Sequence, residues 1–275
     1  MKTTGTRNPT KKLPKEILVA RVERGERLAQ VVVKMKDEVG ATASVDALTA
    51  SLKVDVRQSL TYSLLREGCA IYNAFVSIRD PKVTLELLAE RLRSSPFVVE
   101  AKVFEGREGA IVDTISFPVT WQGRRVVILA QYAMARMFDG VRSLLGSGGH
   151  VILYELGMDY GKELAGYLMN KLGKDYLLHN YDYGLDILAA TGWGIPELQE
   201  SKEDFPNLTM RLSSCLECDG RKAKEATCSF VRGFLSGILG TIAGHTVHCE
   251  ETQCLAKGDS YCEFEIHTRI SLIDR

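Results

Sequence analysis

The spacing of apolar and polar positions changes several times along the chain, and each change predicts an element. Residues 15–24, KEILVARVER, read as a short strand. Residues 28–39, LAQVVVKMKDEV, place apolar side chains at helical spacing, with Gly40 as the stop. Residues 45–56 alternate through Leu48, Leu52 and Val54 and predict a strand. Residues 60–67 fit neither period. Residues 70–78, AIYNAFVSI, are rich in β-formers and predict another strand. After the Asp80-Pro81 turn, residues 83–92 form an amphipathic helix and residues 97–104 a strand.

A polar break, EGREGA at 105–110, separates this pattern from a different one. Residues 111–119 and 125–129 predict strands around Trp121-Gln122-Gly123. Residues 130–145 predict a helix ended by Ser147-Gly148-Gly149, and residues 151–172 a long helix with Gly157 and Gly161 on one face. Residues 179–193 predict a third helix and residues 207–213 a strand. A polar loop with Cys215 and Cys218 follows. Then come a glycine-ridged helix, a strand-like piece, a Gly258-Asp259 turn and Cys262.

The class is therefore α+β with two domains. Residues 15–108 run strand, helix, strand, strand, helix, strand, which is the ferredoxin-like order. On that order they resemble ACT-type regulatory domains, which bind amino acids or serve as dimerisation modules. The segment between the first strand and first helix holds one glycine, Gly25, and no Gly-rich ligand loop. A folding and dimerisation unit stays open beside effector binding. Residues 112–268 form the second domain, and residues 1–14 read as a basic disordered tail.

Composition removes several function classes. Lysine plus arginine equals aspartate plus glutamate at 35 each, so no global field draws nucleic acid or an anionic membrane. The most apolar run, residues 230–247, carries Arg232 and His245 and is too short to span a bilayer. The first residues lack an apolar signal-peptide core, so a reducing, cytoplasmic compartment is expected. Six of the seven cysteines lie from Cys215 onward, and in such a compartment clustered cysteines point to metal more than to disulfides.

Glycines at 233, 237, 240 and 244 share one face of the predicted helix. Each costs about 0.5–1 kcal/mol relative to alanine. Close approach of another helix, with Gly157 and Gly161 facing it, or room for a ligand would account for them. Glu251, Cys254 and Cys262 surround the Gly-Asp turn, and Cys228 can join them through the fold. Three thiolates and a carboxylate suit tetrahedral zinc, and a site with four protein ligands is closed and structural. Buried uncoordinated cysteines are the alternative. Cys215 and Cys218 form a separate C-x-x-C, read as an exposed loop dithiol beside a second-metal or redox pair. Cys249 is expected to point away from the site, and His245 and His248 read as ordinary polar residues.

Cys228, Gly233, Gly237, Gly244, Glu251-x-x-Cys254, Gly258-Asp259 and Cys262-x-Phe264 together resemble the 4-vinyl reductase (4VR) domain. Trp193-Gly194 and the glycines after Leu153 fit its upstream half. The family includes phenol-sensing input domains, a protein linked to bacteriochlorophyll synthesis and hydrocarbon-binding proteins, and its fold is similar to that of TRAPP tethering subunits. The resemblance implies structural zinc on Cys228, Glu251, Cys254 and Cys262. It also implies a small aromatic or hydrophobic ligand in a neighbouring cavity, with Trp193 lining it and Tyr154, Tyr160 and His179 as further candidates. With no P-loop or helix-turn-helix in view, the chain is not itself expected to be such an activator. The expected function is a regulatory small-molecule sensor, acting as a homodimer. An enzyme acting on a vinyl or aromatic substrate and a tethering-type scaffold are the alternatives. The enzyme is disfavoured because no dinucleotide fingerprint is present and four ligands leave no open zinc position.

Overall fold

The computed structural model describes residues 13–64, 67–199, 205–218 and 220–268. Residues 1–12 of the expected tail lie outside them. The chain divides into two compact units, one ending at Val126 and one beginning at Val127.

In the first unit, β1 (Ala20–Val22) is followed by β2 (Leu28–Lys36), α1 (Ala41–Ser51), β3 (Asp55–Leu64), β4 (Cys69–Ser77), α2 (Leu85–Arg93) and β5 (Val98–Glu105). The antiparallel sheet has the order β3-β4-β2-β5, which is the ferredoxin-like topology. One face packs Ala29, Val31, Val33 and Met35 of β2 against Val45 of α1 and Leu88 and Leu92 of α2. On the other face, Leu28 and Phe75 pack with Ile111 of β6 (Ala110–Val112), which pairs with β1. A short hairpin closes the unit, β7 (Thr120–Trp121) and β8 (Arg124–Arg125), turning through Gln122 and Gly123 at positive φ. The longer strands expected at 111–119 and 125–129 are confined to these short pieces.

The expected element order is present, but its first members are displaced. The predicted helix at 28–39 is the central strand β2, and the predicted strand at 45–56 is mostly helix α1. Because β2 is central and buried on both faces, its apolar run does not alternate, and its period misleads. Its Val31-Val32-Val33 run carries the strand preference. In α1 the buried residues Ala41, Val45 and Thr49 recur every four positions. Gly40, at φ 93°, precedes this helix and does not end one.

The second unit comprises α3 (Gln131–Leu145), α4 (Ser147–Leu172), α5 (Lys174–His179), α6 (Asp182–Ala190), β9 (Ile195–Leu198), β10 (Leu208–Ser213), α7 (Ser229–Ala243), β11 (Val247–Gln253) and β12 (Cys262–Thr268). Gly146 breaks α3 from α4, so Ser147-Gly148-Gly149 opens a helix where it was expected to end one. The helix expected at 179–193 is split in two, and β9 was not anticipated. The sheet runs β11-β12-β10-β9, antiparallel throughout, and α7 packs on β11 and β12. Among the described residues no helix is long and apolar enough to cross a membrane.

Candidate metal centre and ligand groove

Helix α7 is the axis of the second unit, and its glycines set how closely α4 approaches. A Cβ on Gly233 would run into the Tyr154 carbonyl oxygen, and one on Gly237 into that of Met158. Reciprocally, a Cβ on Gly157 would meet the Phe230 carbonyl and one on Gly161 that of Phe234. Two helix backbones therefore interlock along a four-glycine seam with no space for a ligand between them. Gly240 and Gly244 are not part of the seam: Gly240 faces the His245 carbonyl and Gly244 is the left-handed C-cap.

The N-terminal end of α7 collects the soft ligands. Cys228 is the N-cap. Strand β11 returns along the helix, and a bulge between Glu251 and Gln253 lies next to Cys254. The turn from Leu255 to Lys257 ends on Gly258 at φ 105°, Asp259 accepts from the Cys254 amide at 2.8 Å, and Cys262 opens β12. One donor atom from each of Cys218, Cys228, Glu251, Cys254 and Cys262 lies within 4.8 Å of the others, and all five residues are buried. The four residues expected from sequence are thus together. They hold one end of the helix, however, and not both, because β11 runs back along α7 to meet Cys228.

Cys218 was not expected there. The reading of Cys215 and Cys218 as an exposed dithiol is wrong, since they are 0% and 3% exposed. The Cys218 sulfur lies 3.0 Å from that of Cys228, and the Cys215 sulfur 3.6 Å from it. The cause is Glu217 between them. Its buried carboxylate accepts from the Phe230 and Val231 amides at 3.3 and 3.0 Å, capping α7, and pairs with buried Arg142 of α3. Burial pushes the Glu217 carboxyl up to about 7, with Arg142 and the amides pulling the other way. Cys249 is in phase with Glu251 and faces inward, where burial raises its thiol pKa; it is not in the ligand group.

Glu251 supplies a test of whether a cation fits. Its Oε2 accepts from the Cys228 amide at 2.8 Å, while its buried Oε1 has no hydrogen-bond partner. Burial pushes this carboxyl up to about 8. A buried oxygen left without a partner is costly, and a cation among the thiols would satisfy it. The residues present therefore fit a soft divalent metal.

The seam has two flanks. On one, Phe230 and Phe234 of α7 stack with Trp193, Tyr160 and Phe138, at ring centroid separations of 4.9–6.0 Å. On the other, the Arg232 guanidinium lies 5.7 Å from the Tyr154 ring centre, and the Tyr154 hydroxyl donates to Ser236 at 3.0 Å. This second flank opens into a groove of about 710 Å³, lined by His150, Tyr154, Arg232, His248, Cys249 and His267 among others. Of the four ligand-binding candidates, Trp193 and Tyr160 meet in the ring stack and Tyr154 lines the groove. His179 is exposed and bonded to the Asp175 carbonyl of its own helix. Arg232, His150 and the β11 histidine were missed, since only the fold aligns them.

Comparison with known proteins identifies this unit. Residues 208–268 match the vinyl-4-reductase (4VR) domain model, the family that the cysteine pattern resembles. An uncharacterised protein of Methanocaldococcus jannaschii, MJ0150, is 31% identical over 120 residues, 43% of this chain and 65% of the relative. The chain spans less than two thirds of the first curated relatives it matches. Among solved structures, the phenol-responsive sensory domain of the transcription activator PoxR, with phenol, is 16% identical. The match covers 53% of this chain and 77% of that one at a TM-score of 0.46. A vinyl-4-reductase family protein of M. jannaschii is 22% identical, with 54% and 86% covered and a TM-score of 0.36.

Proposed function

We propose that the vinyl-4-reductase-type unit is a small-molecule sensor module, its groove beside α7 the ligand site and its cysteine cluster a structural zinc site. The observation that carries this reading is the groove. Its volume is that of a small-ligand site, and one wall is an arginine held against an aromatic ring. Among the described residues no carboxylate lies within 4.0 Å of Arg232, and none lines the groove. The ligand class this favours has an aromatic or apolar body and an anionic or strongly accepting group.

Zinc on residues drawn from Cys228, Glu251, Cys254, Cys262 and Cys218 would act as a clamp. Cys228 and Arg232 are joined by a hydrogen bond of the first helical turn, from the Arg232 amide to the Cys228 carbonyl at 2.9 Å. His150 in the groove wall bonds Ser229, the next residue, at 2.9 Å. Fixing Cys228 therefore fixes the groove. A homodimer belongs to the same reading. Leu144 and Leu145 of α3 and Ile152 and Leu156 of α4 are 43–84% exposed, an apolar face that a second copy would cover. Light scattering showing a monomer at working concentration would remove that part.

Calorimetric titration with phenol, benzoate and decanoate tests the ligand reading. Benzoate is expected to bind the wild type. Arg232→Leu is expected to weaken it roughly 10- to 100-fold, the range of a charge-assisted hydrogen bond of about 1.5–3 kcal/mol. No binding of any of the three, or equal affinity in the variant, would refute it.

A further inference from the structure

We infer that Cys218 is itself a ligand, so that the metal is held by four thiolates, Cys218, Cys228, Cys254 and Cys262, with the Glu251 carboxylate beside it as a reserve donor. This rests on the zinc reading and departs from the ligand set that the cysteine spacing implies. Four sulfurs around one zinc at about 2.3 Å stand roughly 3.8 Å apart. Cys218 lies 3.5 Å from Cys254 and 3.7 Å from Cys262, and Cys228 lies 3.6 Å from Cys262, sulfur to sulfur. The Cys218–Cys228 separation of 3.0 Å is shorter, and a metal drawn between these two thiolates would spread them.

Cys218 is held in place from several sides. Glu217 anchors the preceding residue to the first turn of α7 and to Arg142. The Leu216 amide donates to the Trp193 carbonyl at 2.8 Å, and the Leu216 carbonyl accepts from Gln131 at 2.9 Å. A loop tied at successive residues to α3, α7 and the segment after α6 presents a fixed thiol, not a mobile one. Glu251, by contrast, has one oxygen committed to the Cys228 amide. Thiolate is also the softer donor for zinc. Five donors for four positions leave Glu251 Oε1 waiting where a lost thiolate would be replaced.

X-ray absorption at the zinc edge of the purified full chain tests this directly. The expected wild-type spectrum has four sulfurs at about 2.3 Å. Glu251→Gln is expected to leave it unchanged. Cys218→Ser is expected to keep the metal with three sulfurs and one oxygen. In the cobalt-substituted protein, its thiolate-to-metal absorption should then fall by about a quarter, one thiolate in four. Three sulfurs and one oxygen in the wild type would overturn the inference while leaving the zinc reading intact, and needs no variant to fold. A wild type without stoichiometric metal would overturn both.

Discussion

Gly233→Ala tests the seam that places α7. The added Cβ would collide with the Tyr154 carbonyl oxygen, a backbone atom that no rotamer change can move aside. The helices must separate, and the neighbouring Gly237–Met158 and Gly157–Phe230 approaches loosen with them. Alanine in a helix interior is worth about 0.5–1 kcal/mol over glycine. Overpacking costs typically about 1–3 kcal/mol, and contact with backbone argues for the upper end. The net expectation is a loss of about 2 kcal/mol, or roughly 4–8 °C in Tm for a unit of this size. Gly166→Ala is the control, on the same α4 helix, with open space around the position. It should stabilise by up to about 1 kcal/mol. Trp193 packs on Phe230 and Phe234, so its fluorescence in a Trp121→Phe background follows this unit alone. If Gly233→Ala stabilised as Gly166→Ala does, the helix contact would not be what the four glycines serve.

Other outcomes follow from the same packing. Arg142→Met leaves the Glu217 carboxylate buried with only two amides and should cost roughly 3–5 kcal/mol. Adding Glu217→Gln should recover part of that loss, and an unchanged denaturation midpoint for the single variant would count against the buried pair. Stripping zinc with a chelator should abolish cooperative unfolding of the second unit, since structural zinc contributes on the order of 10–16 kcal/mol to such sites. Circular dichroism should still report the ferredoxin-like unit. Burial of Asp113 works against its ionisation, but bonds from Gln30, Ser116 and the Ile115 amide outweigh it and hold its carboxyl below the usual range. A lowered folded value means stability present above the unfolded value and lost as pH falls through the folded one. Asp113→Asn should therefore flatten the acid limb of the first unit's stability profile, and an unaltered limb would contradict this.

What could be read from the chain depended on how local each signal was. The metal turn is short-range: Glu251, Cys254, the Gly258-Asp259 turn and Cys262 lie within twelve residues, and their spacing alone brings them together. The facing pairs Gly157–Gly161 and Gly233–Gly237 were equally legible as a possible helix contact. Spacing could not decide between a helix and a ligand, and the interlocked carbonyls decide for the helix. Cys218 was not legible, because a charged residue between two cysteines reads as a surface loop. Only the pairing of Glu217 with Arg142, 75 positions away, buries it. The displaced first elements have a different cause. Strand β2 is covered on both faces, so it lost the alternation by which strands are recognised. The groove joins side chains from α4, α7, β11 and β12, a juxtaposition without a linear signature.

Native mass spectrometry of the purified full chain tests the account most directly. Released gently, the wild type should carry one zinc and take up one benzoate per chain, and Arg232→Leu should keep the zinc while losing the benzoate. A wild type that holds neither, or a variant that binds benzoate as the wild type does, would contradict a zinc-clamped groove built around Arg232.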